Sequence, residues 1–106
     1  MIGRMWRGEA IGAANADAYA RHLSETVVPE LRHLTGFRGA HLLREQADDR
    51  IEIRVLTLWD SRAAIEAFAG QDISVAVVEP EARAVLAAFD DFATHYEVTS
   101  FPSDEG

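Results

Sequence analysis

Nine residues, IEIRVLTLW at positions 51–59, constrain the fold more than any other part of the chain. Successive side chains of a strand point to opposite faces, so Ile51, Ile53, Val55, Thr57 and Trp59 share one face. Glu52, Arg54, Leu56 and Leu58 share the other. The first set reads as a core face. The second begins polar and ends apolar, which calls for a partial cover of its own. Residues 40–45 have strand character too, and the polar stretch QADD at 46–49 joins the two as a hairpin.

The flanking segments alternate strand and helix patterns around this hairpin. Residues 2–10 read as a first strand. Asn15 is a candidate helix cap, and Tyr19, Leu23, Val27, Leu31 and Leu34 then recur at helical spacing. Pro29 falls inside that pattern, where its missing N–H predicts a kink or break. TGFRG at 35–39 ends the helix. After the hairpin, Asp60 or Ser61 caps a second helix with Ile65, Phe68 and Ala69 as its buried stripe, and Gly70 stops it. Short helical turns are expected around Ile73, Ala76 and Val77 and after Pro80, before a last strand at 92–100. The order is βαββαβ: an α+β, ferredoxin-like antiparallel sheet with helices on one face. Residues 1–100 form the single domain and residues 101–106 a flexible tail. The uncovered sheet face, with Leu56 and Leu58 on it, predicts a homodimer.

Composition narrows the function. The chain has 106 residues, is 48% hydrophobic and carries a formal net charge of -8. Such an acidic surface repels phosphates, so nucleic acid and anionic membranes are not expected partners. There is no cysteine and no lysine, which removes thiolate, Schiff-base and Walker-lysine chemistry. No apolar run reaches the roughly 18 residues that span a bilayer, and no signal-peptide pattern opens the chain. A cytoplasmic protein is expected.

No cofactor motif is present. His22 and His33 lie about 16 Å apart along one helix, and His41 and His95 fall on opposite sheet edges, so no metal site is expected within one subunit. What remains is a set of aromatic and polar residues able to line a small pocket. Trp59 ends its strand on the core face, where a buried indole N–H wants a partner. Trp6 and Arg7 cannot be assigned to a face. In FATHYEVTS, at 92–100, the apolar set Phe92, Tyr96 and Val98 is expected to face the helices, and Ala93, His95, Glu97 and Thr99 to face away.

LTLWDSRAAIEAFAGQDISVAVVEPE, followed by HYEV, resembles the antibiotic biosynthesis monooxygenase (ABM) family, and the similarity of pattern runs from MIGRMWRG to HYEV. The resemblance implies a dimeric α+β barrel with a pocket between sheet and helices. Quinone-forming members oxidise a polyketide anthrone with O2 and no cofactor. They use an Asn on the third strand, a Trp at its end, a Tyr on the second helix and an Arg farther on. Here only the Trp matches, as Trp59; Val55, Ile65 and Glu79 stand at or near the other three positions. The haem-degrading pattern matches less well, with Phe68 and Val77–Val78 where its Trp and His belong.

Two functions follow as expectations. One is a cofactor-independent monooxygenase acting with O2 on a small aromatic or phenolic, polyketide-like substrate. Trp59 and Tyr96 are its candidate catalytic donors, and Val55, Ile65, Phe68 and Trp6 its pocket. The other is a non-catalytic dimeric ligand-binding or structural module, favoured by the apolar bulk of Val55 and Ile65. A cavity lined by Trp59 and Tyr96 discriminates between them.

Overall fold

A computed structural model describes residues 1–103; the last three residues of the expected tail lie outside it. Strand β1 spans Ile2–Ile11, β2 Phe37–Ala47 and β3 Arg50–Trp59. The hairpin forms as its pattern requires, with Asp48 taking the positive φ of 58° that a tight two-residue turn needs. Two short strands, β4 (Ala88–Phe89) and β5 (Thr94–Glu97), pair with β1 on its free side. Every pairing is antiparallel and the order is β2-β3-β1-β4, with β5 beside β4 on β1. This is the ferredoxin-like α+β arrangement.

Helix α1 (Ala13–His22) continues through a π-helical turn, Leu23–Val27, into a short α2, Val28–Leu31. Pro29 therefore does not break the helix. The extra residue of the π turn, closed by the Val28 N–H on the Leu23 carbonyl, absorbs the missing donor just ahead of it. Gly12, rather than Asn15, occupies the cap position, and the Asn15 amide donates back to the Ile11 carbonyl at 3.0 Å. Ser61 caps α3 (Arg62–Ala69), its hydroxyl accepting from the Ala64 N–H at 3.2 Å. Gly36, at φ 91°, sits where an added Cβ would meet the Ala64 side chain at 2.7 Å, so the turn into β2 admits no larger residue without strain.

The chain after α3 differs from the expected helical turn. Residues 70–79 are irregular, and α4 follows at Pro80–Val85. The expected last strand at 92–100 is confined to β5, and the two-residue β4 forms ahead of the expected start. Between β4 and β5 the chain leaves β1 to bond with the irregular segment: the Ala76 N–H donates to the Asp91 carbonyl and the Ala93 N–H to the Ser74 carbonyl. The detour moves the register on β1 by two residues, from Gly8 opposite Phe89 to Arg4 opposite His95, so the alternation of facing is the same in β4 and β5.

All the helices lie on one side of the sheet, over Ile51, Ile53, Val55, Thr57 and Trp59, which are all buried. Two apolar clusters result. One gathers Tyr19, Leu23, Ile53 and Val55 beneath α1; the other gathers Leu31, Trp59 and Ile65 beneath α3. The opposite side carries Met5, Leu56, Leu58 and Tyr96 at one end. At the other end it carries an ion-pair chain: Arg7 bridges Glu9 and Glu52, and Arg54 bonds Glu52.

Candidate functional site

The inner face of β1 carries Ile2, Arg4, Trp6, Gly8 and Ala10, antiparallel to Trp59, Thr57, Val55, Ile53 and Ile51. Between these strands and α1, the π turn and the irregular segment lies a cavity of about 60 Å³. Its walls are mainly apolar, with Trp6, Leu23, Val27, Val55 and Phe68 among them. Five polar side chains also reach it: Arg4, Tyr19, His22, Thr57 and Glu79.

Arg4 dominates the electrostatics. It is only 4% exposed, and burial holds its pKa below the ordinary arginine value, though not far enough to discharge a guanidinium at neutral pH. It donates to the carbonyls of Ile73 and Val75 and to His95 Nε2, the last at 3.0 Å. It also packs over the Phe68 ring, 5.7 Å from its centroid. All these partners are uncharged, and among the described residues no carboxylate pairs with Arg4. Because a guanidinium can only donate, His95 Nε2 must accept. His95 is accordingly held neutral: burial first, then the charges of Arg4 and Arg62, push its pKa below the usual imidazole value.

The other polar groups sit around the same space. Trp59, fully buried, donates its indole N–H to the Thr57 hydroxyl oxygen at 2.9 Å, which leaves the Thr57 proton free to be donated elsewhere. Tyr19 stays protonated across the ordinary range, because burial and then the Glu79 charge both raise its pKa. The Trp6 indole donates to the Asp90 carbonyl at 2.8 Å and stands 6.0 Å from the Tyr19 ring, fixing that wall.

The expected site residues are thus distributed. Trp6, Val55 and Phe68 line the cavity. Trp59 and Ile65 do not; they fill the solid cluster beneath α3, with Trp59 stacked on Phe68 at 6.1 Å. Tyr96 stands opposite Gly3 on the outer sheet face and is 52% exposed, so Trp59 and Tyr96 are not brought together. The expected facing of the last strand is reversed: His95 points inward to Arg4, Ala93 is buried and Phe92 is exposed. The outer face is itself apolar here, with Val98 near Leu56 around Gly3, so hydrophobicity could not tell the two sides apart. Trp6 faces inward and Arg7 outward. The sequence reading missed Arg4, although its place between Ile2 and Trp6 on one face of a strand was a usable signal.

A family model for antibiotic biosynthesis monooxygenases matches residues 10–80, and the chain belongs to that family. Among solved structures, the fold is similar to a Bacillus cereus protein ascribed to the same class. That match has 14% identity and a TM-score of 0.61, covering 96% of this chain and 94% of the other. It is similar also to a monooxygenase from the gene ActVA-Orf6 of Streptomyces coelicolor, in complex with nanaomycin D. Here the identity is 14% and the TM-score 0.61, with 96% and 92% covered. No curated protein matches the chain at a significant level. Among the described residues no helix is long and apolar enough to cross a membrane.

Proposed function

We propose that this chain is a monooxygenase that oxidises a small phenolic or enolic substrate with O2, without flavin or haem. The observation that carries the proposal is Arg4: a buried, uncompensated cation in the wall of a mainly apolar cavity. Leaving such a charge unpaired is costly, and an anionic oxygen is the partner that would relieve it. A phenol or enol bound there would ionise more readily. Its anion is the electron-rich species that can reduce O2 directly. For an activated methylene oxidised to a carbonyl, the substrate supplies four electrons. One oxygen atom enters the product and the other leaves as water, together with the two hydrogens lost from carbon. The apolar walls would keep water from the anion. Thr57, its oxygen occupied by Trp59, has its proton to offer as a second donor to the developing oxyanion. Trp59 would then act as a positioning residue behind Thr57.

An outer-face homodimer accompanies this reading. Leu43 is 46% and Tyr96 52% exposed, and with Met5, Leu56 and Leu58 they form an apolar patch that a second copy would cover. Tyr96 belongs to that patch in this proposal.

The test is oxygen uptake with a panel of phenols, hydroquinones and anthrones, and binding of a non-oxidisable phenol. Uptake with one O2 per product and no hydrogen peroxide is expected, reduced at least tenfold in Arg4→Met. No uptake above background across the panel would sink the oxidation. The second reading, a non-catalytic ligand-binding or structural module, is favoured by size: the cavity is smaller than the roughly 150 Å³ that admits benzene in an engineered core. Oxidation therefore requires the irregular wall at residues 70–79 to move outward, and the binding measurement also tests that.

A further inference from the structure

His22 closes α1, Glu79 precedes α4 and Glu81 lies in its first turn. One ligand atom from each lies within 4.8 Å of the other two. Carboxylates at the start of a helix are at home without any cation, so Glu79 and Glu81 alone signify little. His22 changes the reading. Its side chain is nine-tenths buried, and Nε2 has no hydrogen-bond partner. The nearest carboxylate oxygen, Glu79 Oε2, stands 3.8 Å away, too far for the short contact that an imidazolium–carboxylate pair adopts. Nor is Glu79 occupied as a cap, since its side chain makes no capping hydrogen bond. A buried imidazole nitrogen is aimed at two carboxylates and bonded to neither.

We propose that His22, Glu79 and Glu81 bind a divalent transition-metal cation, with Zn2+ the ion that matches the donor set best. One imidazole nitrogen and two carboxylate oxygens are borderline-to-hard donors suited to such an ion. Metal–ligand bonds of about 2.0–2.2 Å require the three atoms to draw in by about an ångström at most. Glu81, exposed, has the freedom to do so. The cation would tie the end of α1 to the start of α4 at the rim of the cavity, because His22 and Glu79 both line it. Three protein ligands leave positions for water. No step of the proposed oxidation passes through this ion, and the two ideas stand or fall separately.

The experiment is calorimetric titration of the metal-free protein with Zn2+ near neutral pH, with thermal melts alongside. Saturable binding of one ion per chain is expected, with a rise in Tm and no comparable response to Mg2+. His22→Ala and Glu79→Gln should abolish it, Glu81→Gln should weaken it roughly tenfold, and His33→Ala should leave it unchanged. Should His22→Ala fold poorly, the imidazole ¹⁵N shift of His22 in the wild-type protein gives the same answer: Nε2 must move on Zn2+ addition. No saturable binding, binding unaffected by Glu79→Gln, or an unmoved His22 Nε2 would each overturn the site.

Discussion

The two ends of the inner sheet face are built from the same alternating strands and differ in almost every other respect. At the Trp59 end, α3 presses Ile65 and Phe68 onto the indole; the packing is solid and the only polar group, the indole N–H, is satisfied by Thr57. At the Arg4 end, the cover is a π turn and an irregular segment. They leave space, and the polar groups facing it include the charged side chains of Arg4 and Glu79. Regular helices present side chains at fixed intervals and can fill a face closely. A widened turn and a chain without periodicity cannot, so the hollow forms where the cover is irregular.

That contrast can be broken by substitution. The largest effect belongs to the solid end: Trp59→Ala should cost about 3–5 kcal/mol in urea denaturation, because a fully buried aromatic leaves a void its rigid neighbours cannot fill. Overpacking separates the two ends. Ile65→Phe should destabilise by about 1–3 kcal/mol, whereas Val55→Ile, pointing into the cavity, should stay within about 1 kcal/mol of wild type. Equal costs would mean that the cavity is not a real space. Ser61→Ala should cost about 1 kcal/mol by loosening the helix that seals the solid end, with phenol binding unaffected.

The smallest effect is one of pH and belongs to the hollow end. His95 has a folded-state pKa below its ordinary 6.5, so the native state favours the neutral ring. Its contribution to stability is present in full above pH 6.5. It is lost as pH falls below that value toward the depressed one, because the unfolded chain takes up the proton first. Comparing urea midpoints of wild type and His95→Gln at pH 7.5 and 5 checks this. The wild type should lose ground to the variant on acidification; a constant difference would mean that neither burial nor the Arg4 charge disfavours the protonated ring.

Much of the architecture was legible because it rests on local chemistry. The period of IEIRVLTLW, the polar turn after it and the serine before α3 each dictate a backbone state from neighbouring residues alone. The site was less so. Val55 and Phe68 were pocket candidates through the family resemblance and Trp6 a candidate of unassigned facing, and all three line the cavity. Tyr96 was placed on the wrong face, because both sides of the sheet are apolar near the last strand. His22 was compared only with other histidines along the chain, while the structure sets it against carboxylates from a distant segment.

The sequence by itself determined the strand and helix order and the two-sided character of the sheet, since periodicity and turn chemistry act over a few residues, and its resemblance to other chains carried the family. Only the tertiary structure decided that Arg4 is buried without a counter-charge, that Trp59 supports Thr57 instead of facing the cavity, and that His22 meets Glu79 and Glu81. Those facts depend on which distant segments cover the sheet and how well they fill it. No local pattern encodes the gap left where an irregular segment packs against a regular one.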